Sequence, residues 1–167
     1  ISAVGSGAFT PASEAHLARE LASHADLLAT VDAFDTEEAR AALATADVLV
    51  TGWRTPRIDA AVLEAAPNLK WILHIAGSVK EQFTPEVWER GIEVSSAVDA
   101  NAVPVAEFTL ASILMANKRV VQIAREYRER RELIDQAELG VVGSYGRRVG
   151  VVGASRIGRR VVELLRP

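Results

Sequence analysis

Over its first hundred residues the sequence alternates short β-like runs with stretches of helical periodicity, and that alternation leaves few folds open. Strands that are joined through helices pair in parallel, and the helices then cover both faces of the sheet. The candidate strands are Ser2 to Val4, Thr30 to Phe34, Asp47 to Thr51, Leu69 to Ile75 and Ile92 to Ser95. Between them, the stretch Pro11 to Ala25 is read as a helix with Leu17, Leu21 and Leu28 at helical spacing. Thr36 to Ala44 opens with a cap-like Thr followed by Glu37 and Glu38, and Pro56 to Ala65 begins with Pro near the first helical position. A shorter helix, Pro85 to Arg90, is expected to stop at Gly91 in the left-handed conformation. Five strands with four crossovers predict an α/β, flavodoxin-like parallel sheet domain.

The next element departs from that rhythm. From Pro104 to about Glu132 there is no breaker after the first residue, so the segment is expected as one helix on the order of 40 Å long. Its first half, Val105 to Ala116, is apolar nearly all the way round and must be covered on several sides, by its own domain, a further domain or a second subunit. Its second half keeps only the stripe Val120, Val121, Ile123, Ala124 and Tyr127. The sharper reading is an interdomain and dimerisation helix of a homodimer, and the plainer one is a core helix of a monomer. Residues Leu139 to Gly146, with three glycines, form the expected link to a last strand, Arg148 to Val152.

That last strand runs into Gly153-Ala154-Ser155-Arg156-Ile157-Gly158 and then a periodic helix through Val161, Val162 and Leu165. A strand, a glycine turn and a helix in this order open a dinucleotide-binding unit: the first glycine permits the bend, the second lets backbone approach a pyrophosphate, and the third lets helix pack on strand. Gly153, Ser155 and Gly158 take those places, and Ser155 departs from the pattern with a small hydroxyl that can itself donate to a phosphate oxygen. The N–H groups of Arg156 and Ile157 would face the anion with the helix dipole behind them. A complete site needs an acidic residue about 20 positions past the glycines. The chain is therefore expected to be the front portion of a longer enzyme, and the segment 148 to 167 the first β-α unit of a truncated Rossmann domain.

Charge excludes other classes. With 19 basic and 22 acidic side chains interspersed there is no footprint for nucleic acid or an anionic membrane. No apolar run is read as approaching the roughly 18 residues of a membrane span. The absence of cysteine rules out a disulfide framework and fits a cytoplasmic location. His16, His24 and His74 have no metal-ligand spacing, so no metal is expected.

Three stretches together resemble the D-isomer-specific 2-hydroxyacid dehydrogenases. Leu69-Lys70-Trp71-Ile72-Leu73-His74-Ile75-Ala76-Gly77-Ser78 is similar to the family's strand and substrate-carboxylate loop. Asn101-Ala102-Val103-Pro104-Val105-Ala106-Glu107 is similar to the start of its interdomain helix, and Tyr145 to Gly153 to the run into its cofactor domain. The resemblance implies a substrate domain over residues 1–103, an interdomain or dimerisation helix and linker over 104–147, and the start of an NAD(P)-binding domain over 148–167. It implies an oxidoreductase that interconverts D-2-hydroxy acids and 2-oxo acids by hydride transfer with NAD or NADP. Ala76, Gly77 and Ser78 would bind the substrate carboxylate, and Asn101 would face the cleft. Gly153, Ser155, Arg156, Ile157 and Gly158 would bind the cofactor.

The family's catalytic arginine, glutamate and histidine would lie past Pro167, so no catalytic residue is assigned, and the chain alone is expected to be inactive. Lys80 stands where relatives usually carry an acidic residue or histidine. His74 has a suitable pKa for acid–base work but no partner carboxylate at recognisable spacing. Two other readings stay open: a dinucleotide-sensing regulatory or corepressor-like protein of the same fold, and a self-contained flavodoxin-like interaction domain.

Overall fold

A computed structural model describes residues 2–4, 10–26 and 29–166 of the chain. The chain divides into two compact units, Ile1–Val98 and Asp99–Pro167. The first holds a five-stranded sheet of β1 (Ser2–Val4), β2 (Ala29–Val31), β3 (Val48–Thr51), β4 (Trp71–His74) and β5 (Glu93–Ser96), in the order β2-β1-β3-β4-β5 with every pairing parallel. That is the flavodoxin-like order, and its strand sequence reverses between β1 and β3. The crossovers carry α1 (Pro11–Leu21), α2 (Glu37–Thr45), α3 (Ala60–Ala65) and α4 (Glu86–Glu89).

Alternation along each strand splits the core into two layers. Leu49 and Ile72 point to one face, where they pack with Leu43 of α2, Leu63 of α3 and Val87 of α4. Val50 lies on the other, against Leu17 and Leu21 of α1 and Leu73 of β4. Both helix-opening threonines act as caps: Thr10 Oγ1 accepts from the Ser13 N–H and Thr36 Oγ1 from the Ala39 N–H. Two expectations shift. The third helix starts after Asp59, whose carboxylate accepts from the Val62 N–H, so Pro56 lies ahead of the helix. The second strand ends at Val31, and Asp32, Ala33 and Phe34, expected to continue it, leave the ladder. Gly91 does stop α4 at φ 70°. Leu28 lies outside the described residues.

In the second unit the expected single rod is two helices. The first, α5 (Val98–Asn117), begins six residues ahead of Pro104, which sits inside it. Proline there withholds the N–H that the Ala100 carbonyl would accept, a loss tolerable only near a helix start. The second, α6 (Val120–Arg130), is set off by Arg119 in the left-handed conformation at φ 52°. Because α5 takes in the residues before the proline, it reaches 20 residues with a best-window mean hydropathy of 1.3, long and apolar enough to cross a membrane by length and composition alone. The sequence reading, which counted no such run, is corrected on that point. A short α7 (Gln136–Leu139) follows, then the link, whose Gly140, Gly143 and Gly146 all have positive φ. Residues 148–152 form no strand, since among the described residues nothing pairs with them, and the chain turns at Gly153 into α8 (Arg156–Leu164).

Candidate functional site

Parallel sheets present ligand sites beyond the carboxyl ends of their strands. Here β3 runs into Gly52-Trp53-Arg54-Thr55 and β4 into Ile75-Ala76-Gly77-Ser78. Ile75 still donates its N–H to the Thr51 carbonyl at 2.8 Å, after which the chain leaves the ladder. Among the described residues, the N–H groups of Ala76, Gly77 and Ser78 donate to no backbone acceptor. Ala76 is fully buried, which anchors the loop, whereas Gly77 is half-buried and Ser78 exposed. Successive unpaired amides on an anchored turn can hold an anion.

Side chains brace this pair of loops. His74 is buried, with Nδ1 2.9 Å from the Thr51 hydroxyl across the strands and its ring meeting Phe83 edge-on. Burial lowers its pKa below the ordinary value, so the neutral ring is favoured. His74 is therefore a packed strand-end residue and not a solvent-facing base. Gln82 Nε2 donates to the carbonyls of Gly52 at 3.1 Å and Trp53 at 3.2 Å, tying the segment after β4 to the loop after β3. Thr55 Oγ1 accepts from the Gly52 N–H at 2.8 Å and closes that loop on itself.

The glycine turn belongs to the second unit. Gly153 has φ 93°, which favours glycine. A Cβ on Gly158 would meet the Gly153 carbonyl oxygen at 2.1 Å, so the turn and the helix approach too closely for any side chain. Ser155 lies at φ −74° as the residue before α8, a conformation open to any amino acid, and its side chain makes no capping hydrogen bond. The first-turn N–H groups of α8 therefore remain available beside a free hydroxyl. A groove of about 400 Å³ runs over this turn, lined among others by Thr109, Ile113, Gly153, Ser155 and Ile157. Arg156 Nε donates to Asp99 Oδ1 at 2.5 Å, which ties the start of α5 to the turn. Asn101 is half-buried on the first turn of α5 in this unit.

Comparison with known proteins decides the family. A model of the D-isomer specific 2-hydroxyacid dehydrogenase catalytic domain matches residues 8–155. The chain belongs to this family.

Among curated relatives, the chain is 34% identical over 119 residues to a glyoxylate reductase of Korarchaeum cryptofilum, a match covering 70% of the chain and 36% of the relative. It is 32% identical to a D-3-phosphoglycerate dehydrogenase of Methanocaldococcus jannaschii, covering 76% and 24%. The chain thus spans about a third or less of those relatives' length. In fold it is similar to D-lactate dehydrogenase from Aquifex aeolicus, solved with NAD and lactic acid, at TM-score 0.71 and 21% identity, covering 98% of this chain and 47% of that one. These relatives are enzymes by name and do not favour the regulatory reading.

The residues singled out in the sequence fall into two groups: Ala76 to Ser78 on one loop of the first unit, and Gly153 to Gly158 on one turn of the second, with Asn101 on α5. What sequence reasoning missed is the bracing. Gln82 acts 30 residues away along the chain and Thr51 pairs 23 away. The only signal for either was the adjacency of β3 and β4, which places their carboxyl ends side by side.

Proposed function

We propose that this chain supplies the substrate lobe and the opening of the dinucleotide lobe of an oxidoreductase that interconverts D-2-hydroxy acids and 2-oxo acids with NAD or NADP. The observation that carries the reading is the row of unpaired amides at Ala76, Gly77 and Ser78, found in a chain of this family together with the close Gly153–Gly158 approach. In this reading residues 1–103 bind substrate, 104–147 connect and dimerise, and 148–167 begin the cofactor domain.

The substrate carboxylate accepts from the amides of Ala76, Gly77 and Ser78, charge-assisted bonds that fix its position before reaction. The N–H groups of Arg156 and Ile157 and the Ser155 hydroxyl would hold the pyrophosphate of the cofactor, and Gly153 and Gly158 keep the turn free of side-chain bulk. The turn fits a dinucleotide because both positions that sterically require glycine have it. The nicotinamide, when bound, supplies or accepts the hydride. His74 keeps its strand-end packing and moves no proton. Proton exchange is assigned to no residue of this chain.

The location we assign is cytoplasmic. The apolar surface of α5 is covered by protein, since Asp99, Asn101 and Glu107 within it would be costly in lipid. The test is NADH and NADPH oxidation by the full-length protein across a panel of 2-oxo acids. Turnover that is lost when Gly77 is replaced by Val supports the reading, and silence with every acid and both cofactors overturns it.

A further inference from the structure

The charges around the carboxylate loop point to a substrate with more than one acidic group. Trp53 and Arg54 are exposed on the loop after β3, and Lys80 is exposed just past the loop after β4. The two loops are held against each other by the Ile75–Thr51 ladder bond, by Thr51 to His74, and by the Gln82 bridge to the Gly52 and Trp53 carbonyls. The loop after β3 also flanks the point where the strand order reverses, the edge at which open α/β sheets bind ligands.

Other charges nearby are accounted for. Arg57 lies in the field of Glu86, whose carboxyl is held below its ordinary range first by the Thr84 hydroxyl, then by its own backbone N–H, and further by Arg57. Glu81 neighbours Lys80 in sequence and forms no ion pair with it. Among the described residues, neither Arg54 nor Lys80 has an ion-pair partner, although Lys70, Arg125, Arg130 and Arg156 all do. Lys80 donates only its backbone N–H, to Ser78 Oγ at 3.4 Å, which places the residue at the rim of the carboxylate loop. In the proposed reading the loop amides take one carboxylate, and Lys80 at the rim of that loop and Arg54 on the adjoining loop, without ion-pair partners among the described residues, leave charge for a second anionic group.

We infer that Lys80 and Arg54 select a 2-oxo or 2-hydroxy acid carrying a second acidic group. This rests on the oxidoreductase reading above. The amides of Ala76 to Ser78 take the carboxylate next to the reacting carbon, and the two side chains take the distal one as mobile point and fork donors. An acid with one carboxylate leaves both cations without a counter-charge and gains nothing from them.

The experiment compares kcat/KM of the full-length protein for oxaloacetate and 2-oxoglutarate with that for pyruvate and 2-oxobutyrate, in wild type, Lys80→Met, Lys80→Arg and Arg54→Met. The diacids are expected to lead, and Lys80→Met to cut the diacid-to-monoacid ratio about tenfold, the scale of one charge-assisted bond. Lys80→Arg should retain most of the ratio, and raising the salt concentration should shrink it in wild type. Equal use of both acid types, or a ratio that Lys80→Met and Arg54→Met leave unmoved, overturns this inference while the proposed reaction stands. Absence of turnover with every acid overturns both.

Discussion

Gly153 and Gly158 are required for different physical reasons, and substitutions separate them. At Gly158 the obstacle is a backbone carbonyl 2.1 Å from where a Cβ would sit, so Gly158→Ala must push helix and turn apart. We expect it to destabilise the protein by about 1–3 kcal/mol, as overpacking does, and to weaken dinucleotide binding. Ser155→Gly should change stability by less than about 1 kcal/mol, because φ −74° asks for no glycine. Urea denaturation and NADH titration of the full-length protein check both. A second residue-scale prediction concerns His74, whose folded-state pKa is lowered by burial. The unfolded chain then binds a proton that the folded one refuses, so stability rises with pH through this window. It should fall as pH drops below about 6.5, with a slope of up to about 1.4 kcal/mol per pH unit, until the folded-state pKa is reached. Denaturation midpoints at pH 5 to 7.5 should show this slope, and His74→Phe should flatten it. The glycines were legible because each acts through its own backbone within six residues. The partners of His74 and Gln82 were not, because they come from another strand.

At the scale of elements, the sheet was readable and the helical segment was not. Each crossover carries a local start or stop, such as Thr36 as a cap or Gly91 as a terminator, that a single sequence displays. The break between α5 and α6 has none: a left-handed residue is ordinarily glycine or asparagine, and here it is Arg119. That conformation is held by side-chain contacts, the Arg119 guanidinium donating to the Leu139 carbonyl from beyond the helix and, through Nε at 2.9 Å, to Gln122 Oε1 within α6. Arg131 closes α6 in the same conformation, at φ 55°, with its N–H on the Tyr127 carbonyl at 2.9 Å. Its side chain has no hydrogen-bond or ion-pair partner among the described residues, so Arg131→Gly should stabilise the protein by about 0.5–1 kcal/mol, the left-handed penalty less the extra freedom of glycine when unfolded. Equilibrium urea denaturation measures the gain. The strand expected over 148–152 failed for a related reason: a strand exists only with a neighbour, and the described residues of this unit provide none.

At the scale of the whole molecule, the decisive quantity is how little of α5 its own unit covers. Of 20 residues only Ala102 and Ala106 are buried, while Phe108 is 74% exposed and Val121 of α6 73%. With Met115 these two line an apolar groove of about 480 Å³. A helix of this composition was legible in the sequence as one needing cover, but a single chain carries no mark of what provides it. We assign this face to a second copy of the chain, because a two-fold axis lets the same Phe108, Met115 and Val121 serve on both sides, whereas the opposite face, with Leu110 and Leu114, already turns toward Val149 and Val162. A stable interface of this kind buries about 800 Å² per partner and is sensitive to one buried charge at its centre. The full-length protein should therefore sediment as a dimer at micromolar concentration. Phe108→Glu should shift it to monomer, and Leu133→Glu, at an exposed position outside the groove, should leave it dimeric. A wild-type protein that sediments as a monomer, or a Phe108→Glu variant that stays dimeric, would remove this face from the assembly and return the cover of α5 to the rest of its own polypeptide.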